Sequence, residues 1–64
     1  MKDIEELKNN FTWGKVLEIN TIGDYQILEY EDENNEIYYK PYVNFKDTGV
    51  SYKTLEHALI LAIA

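Results

Sequence analysis

The 64-residue chain has no cysteine, a single histidine, one proline and three glycines. Without cysteine there is neither a disulfide framework nor thiol chemistry. With His57 alone, a zinc site lacks adequate ligands, so no metal and no cofactor is expected. Gly14, Gly23 and Gly49 stand apart from one another, which excludes a glycine-rich loop that would cradle a phosphate. Nucleophilic catalysis would need His57 beside a hydroxyl and an orienting acid. Thr54, its nearest threonine, reads instead as a helix cap and His57 as a solvated side chain, so no catalytic residue is expected and the protein reads as non-enzymatic. Long apolar runs are also missing: Ala58 to Ala64 is too short to span a bilayer. Met1 is followed by Lys2 and Asp3 rather than by the apolar core of a signal peptide. A soluble cytoplasmic protein with no membrane partner is therefore the expectation.

Positive charge is scarce as well. Six cationic side chains face twelve acidic ones, a net charge of −6, which argues against duplex DNA as a partner. The imbalance is local. Residues 1–36 hold ten acids and three lysines (−7), and residues 37–64 hold two acids and three lysines (+1). What the chain has in good supply is aromatic residues, at 14%. They argue against disorder and for one folded domain over 1–64. A domain this small buries only about 60% of its unfolded surface. With disulfide and metal excluded, burial against a partner, and self-association first of all, is the remaining means of reinforcement.

The pattern predicts an α+β fold of the order α-β-β-β-α: a short N-terminal helix, a three-stranded antiparallel meander and a C-terminal helix packed on the sheet, with both helices on one face. Ile4, Leu7 and Phe11 recur at helical spacing, with Asp3 as cap. Thr12 to Asn20 reads as a first strand, with Trp13, Lys15, Leu17 and Ile19 on one side and Val16 on the other. Gly23 supplies the turn to a second strand, Tyr25 to Glu31, whose apolar residues on both faces mark a central strand or a bulge. Asn34-Asn35 suits a tight turn. Ile37 to Phe45 reads as the third strand, and Asp47-Thr48-Gly49 as a turn beyond it. Thr54 caps the last helix, in which Leu55, Ala58, Leu59, Ala62 and Ile63 form a regular apolar stripe. Ile60, Leu61 and Ala64 lie off that stripe, and an apolar second face on so small a chain points to a subunit interface in a homo-oligomer.

Two surfaces stand out as candidate binding sites. In "YYKPYVNFKDTGVSYK", period-two alternation directs Tyr39, Val43 and Phe45 to the core. Tyr38, Lys40, Tyr42 and Lys46 then share the other face, joined by Tyr52 and Lys53. Rings alternating with ammonium groups suit a small anionic, nucleotide-like ligand: the tyrosines stack a planar base and the lysines meet phosphate. A bulge at Pro41 would split this stripe. The second surface is the acidic series Glu29, Glu31, Asp32, Glu33 and Glu36. It lacks the alternation of a calcium loop, and as a row of carboxylates it suits contact with a host protein through mimicry of nucleic acid.

The strand, turn and "SYKTLEHAL" ending over roughly residues 24–64 resembles the three-strand-plus-helix modules at the start of phage-type integrases. That resemblance implies a sheet that meets DNA through basic and aromatic side chains. The acidic second strand and few lysines depart from the pattern. In size, acidity and lack of cysteine the chain also resembles the small accessory proteins of phages and mobile elements, among them anti-defence inhibitors and nucleotide-sequestering sponges. This implies a non-enzymatic binding module acting as a homo-oligomer that sequesters a nucleotide-like ligand, or else an acidic inhibitor of a host protein.

Overall fold

A computed structural model of the protein describes residues 4–63, with side chains through Ile60. The order is α1 (Ile4–Asn10), β1 (Lys15–Ile22), β2 (Tyr25–Glu31), β3 (Ile37–Val43), β4 (Lys46–Asp47) and α2 (Leu55–Ile63). The strands form one antiparallel meander in the order β1-β2-β3-β4. The expected fold is thus present, with a short fourth strand added. No helix among the described residues is long and apolar enough to cross a membrane.

Turn chemistry explains the added strand. Asn44 and Phe45 both adopt left-handed backbone angles (φ 51° and 64°). Two such residues between Val43 and Lys46 make a tight hairpin that sends the chain back along β3. A phenylalanine in this region is strained, and three contacts hold it there. Its N–H donates to Gln26 Oε1 at 2.8 Å, its ring packs on the core, and the Asn44 N–H donates to the Asp24 carbonyl at 2.7 Å. The expected turn signal, glycine, is absent, so the sequence pattern extends β3 two residues too far. The Asp32–Glu36 connection matches its expectation more closely: Asn35 takes φ 63°, and Asp32 Oδ1 accepts from the N–H groups of Asn34 and Glu36 at 2.9 Å each.

Both sheet faces are covered at the centre. Leu7 of α1 packs with Leu28, Tyr30 and Tyr42, with Phe11, Val16, Ile19, Tyr38 and Phe45 around them. Ile27 and Pro41 point to the opposite face, yet they are as fully buried as Leu28. That face is covered by α2, which lies against β3 and β2 and buries Ala58 completely. Each fully buried Ile or Leu contributes about 2 kcal/mol. The two helices therefore sit on opposite faces, not on one. A sixty-odd-residue chain reaches this arrangement because β2 carries apolar residues at consecutive positions, Ile27 and Leu28, one for each helix.

At β1 the expectation fails in detail. A bulge between Val16 and Glu18 shifts the register, so Val16 and Ile19 face α1 together while Leu17 stays exposed. At Pro41 the expected alternative, a bulge, does not occur, because Ile27 pairs with Pro41 in unbroken register. Proline is accommodated because the odd positions of β3 direct their backbone groups away from β2. Tyr39 exchanges two hydrogen bonds with Tyr52 on that side (2.7 and 2.8 Å), and the Thr48 hydroxyl donates to the Pro41 carbonyl at 2.7 Å. The missing N–H of Pro41 thus falls where the pairing with residues 46–52 is already interrupted.

Candidate functional site

The even positions of β3 do share one face, but it is the face under α1. Lys40 is 1% exposed and Tyr42 is 6% exposed, so the Tyr/Lys stripe is not the open surface its spacing suggests. Alternation leaves one side of a strand open only where the sheet buries a single face, and this sheet buries both. Tyr38 is half-buried, its ring stacked on that of Tyr30 at 5.8 Å and its hydroxyl donating to Glu36 Oε2 at 2.7 Å. That hydrogen bond is the main cause that raises the Tyr38 phenol above its ordinary range, assisted by desolvation and nearby carboxylates. Tyr52 is half-buried and occupied in its backbone pairing with Tyr39. Lys46 and Lys53 remain exposed, on separate segments.

Lys40 is the most unusual residue of the molecule. Its ammonium lies 3.5 Å from the centroid of the Trp13 ring and 2.7 Å from Asp47 Oδ1. The approach to Asp47 is close but poorly aligned, so the contact is a charge pair, and the buried ammonium has no well-directed hydrogen-bond acceptor among the described residues. The Lys40 ammonium is the main cause holding the Asp47 carboxyl below the usual carboxylate range. Desolvation opposes it, and the Gly49 N–H, 2.6 Å from Asp47 Oδ1, adds to it. Beside the pair, burial above all, then the charge of Asp47, pushes the Tyr42 phenol up to about 12. A cavity of about 370 Å³ adjoins Tyr42, Lys46 and Asp47 beneath α1. Glu6 and Asp47 put carboxylates in its wall beside the single ammonium of Lys46, which is the wrong balance for a phosphate-bearing ligand.

Trp13 reaches Lys40 because the chain bends at Trp13-Gly14 before β1 starts. A side chain at Gly14 would collide with the Glu31 carbonyl oxygen, so only glycine lets the backbone run this close. Phe11, Trp13 and Tyr30 then pack as a ring cluster, with centroids 4.7 to 6.4 Å apart. Trp13 nevertheless remains 48% exposed. Its free surface lines a groove of about 550 Å³ together with Gly14, Lys15, Glu31, Asp32 and Glu33. The acidic series therefore divides. Glu31, Asp32 and Glu33 gather at the groove, Glu36 holds Tyr38, and Glu29 lies opposite Glu18 in the sheet. Trp13 precedes β1 instead of sharing a strand face with Lys15 as its spacing suggests, and the glycine that follows it is the sequence signal for the bend. No group of acidic or histidine side chains among the described residues is arranged to hold a metal ion.

The groove lies where the chain enters β1, beside the β2–β3 hairpin. β1 is the outermost strand, and among the described residues nothing pairs with its outer side. Ile22 and Tyr25 flank a two-residue turn, so Ile22 and Asn20 bond to β2, and the backbone groups of Ile19 and Thr21 point outward. On α2, Ile60 is 61% exposed. Of its expected companions at a subunit interface, the Leu61 side chain and Ala64 lie outside the described residues.

Compared with protein-family models, with curated proteins and with solved structures, the chain matches none.

Proposed function

We propose that the protein is a non-enzymatic binding module that captures a protein partner along the open edge of β1 and the acidic hairpin beside it. The observation that carries this reading is the eight-residue edge strand, whose outward backbone groups at Ile19 and Thr21 have no partner among the described residues. An exposed strand edge is a template for another strand, and main-chain hydrogen bonds supply the affinity. The bulge at Leu17 interrupts the edge and limits how much of it a partner can pair with. The local charge of −7 over residues 1–36 favours a basic partner and repels acidic ones.

The nucleotide-sequestering reading draws less support. Two of its four central residues, Lys40 and Tyr42, are buried, and Lys40 already has a carboxylate and an indole against its ammonium. The homo-oligomer expected from α2 rests on Ile60 alone and is not required for capture at the edge.

Thr21→Pro tests the proposal, because proline there removes an outward N–H without breaking the β1–β2 ladder. The variant folds as the parent does and loses partner capture. So does the charge reversal Glu31→Lys with Glu33→Lys, while Lys46→Glu with Lys53→Glu leaves capture intact. Capture that survives Thr21→Pro, or a thermal shift by nucleotides that Lys46→Glu abolishes, would overturn it.

A further inference from the structure

The groove at Trp13 specifies the chemistry of the partner. We infer that the edge of β1 receives a basic, extended segment of another protein, with one lysine or arginine side chain seated on the exposed part of the Trp13 indole, in the negative field of the neighbouring acidic hairpin. This rests on the edge-binding reading above.

Three observations converge on it. The Trp13 indole already attracts a cation, since the Lys40 ammonium sits 3.5 Å from its centroid, and nearly half of the residue stays open to solvent. The exposed part of this fixed indole offers a stacking surface to an ammonium or guanidinium group, and the acidic hairpin offsets the repulsion from Lys40. Three acidic residues, Glu31, Asp32 and Glu33, line the groove with one lysine, Lys15, so the charge around it is negative. Asp32 Oδ1 is used by the hairpin, whereas Glu31 and Glu33 make no ion pair or side-chain hydrogen bond among the described residues. Finally, the groove lies at the start of β1, where Lys15 pairs with Glu31. A strand added to the outer side of β1 therefore passes it and can direct one of its alternating side chains into it.

The probe is an acetylated, amidated peptide as long as β1, alternating valine with arginine; its control replaces each arginine by glutamine. Trp13 is the chain's only tryptophan, so its emission reports the groove directly. Amide chemical shifts of Ile19 and Thr21 report the edge. The arginine peptide is expected to move both signals and to bind about tenfold more tightly than the glutamine peptide. Glu31→Gln with Glu33→Gln should reduce that preference to about twofold while leaving the Ile19 and Thr21 shifts in place.

Equal affinity of the two peptides at the β1 amides would overturn the cationic seat and leave edge binding standing. If neither peptide moves those amides in a protein that sediments as a monomer, edge binding fails and the inference falls with it. Sedimentation showing two copies joined at the working concentration, with the Ile19 and Thr21 amides insensitive to peptide, would make the occupant a second copy of this chain and overturn the inference as well.

Discussion

Lys40→Met and Asp47→Asn break the same ion pair, and their effects on stability should be far apart. The ammonium is almost wholly buried, whereas the Asp47 side chain is 55% exposed. Methionine has nearly the shape of lysine and no charge to desolvate. It removes a burial cost of several kcal/mol, at the loss of the pair and of a cation–π contact worth about 0.5–2 kcal/mol. Asp47, left alone, turns to water and still accepts from the Gly49 N–H. The net change for Lys40→Met is within about 1 kcal/mol of zero.

Asparagine at 47 keeps the acceptor for Gly49 but leaves a buried ammonium facing a neutral amide. Breaking a fully buried pair costs about 3–5 kcal/mol. Because half of Asp47 is in water, screening brings this to about 2 kcal/mol. A domain of this size has roughly 3–5 kcal/mol in total, so the midpoint of thermal unfolding should fall by about 10 °C. Urea denaturation followed by Trp13 emission and circular dichroism measures both variants, and the double variant should match Lys40→Met. A larger loss in Lys40→Met than in Asp47→Asn would refute the reasoning.

Gly14→Ala drives a Cβ into the Glu31 carbonyl and should cost about 2 kcal/mol or more, with a shift in Trp13 emission as the bend opens; calorimetry and fluorescence check it. Gln26→Leu removes the acceptor for the strained Phe45 N–H and a bond to the Asp24 carbonyl, and should lower stability by about 1–3 kcal/mol in urea titration. The Tyr42 phenol is raised from 10.0 to about 12 in the folded state, so its contribution is complete below pH 10 and is lost as pH rises towards 12. Phenolate absorbance during an alkaline titration should show it ionising last or together with unfolding. Asp47 is shifted the other way: its contribution is present above the ordinary carboxylate range and lost as acid takes the pH through its lowered value, a loss that Asp47→Asn should abolish.

The elements whose signals are local were legible in the sequence. Thr54 caps α2 as its residue type implies, its Oγ1 accepting from the His57 N–H at 3.2 Å. The two-faced pattern of β2 points to a central strand or a bulge, and β2 lies between β1 and β3. What escaped was set by tertiary pairing. The hairpin at Asn44-Phe45 lacks the glycine that announces such turns, and Gln26, from across the sheet, supplies the stabilisation instead. The bulge at Leu17 displaces the alternation of β1 by one residue, an event that period-two reading cannot register. Alternation along β3 puts Lys40 on an open face; what buries it are Trp13 and Asp47, which come from other parts of the chain. The candidate site moved accordingly, from the middle of β3 to the edge of β1, with Trp13 at its centre.

Residue-resolved amide hydrogen exchange on the isolated protein tests the open edge most directly. The Ile19 and Thr21 amides, pointing away from β2, should exchange rapidly, while those of Asn20 and Ile22, bonded into the sheet, are protected. Protection of all four alike would mean that the outer side of β1 is already paired, and would contradict an edge held open for a partner.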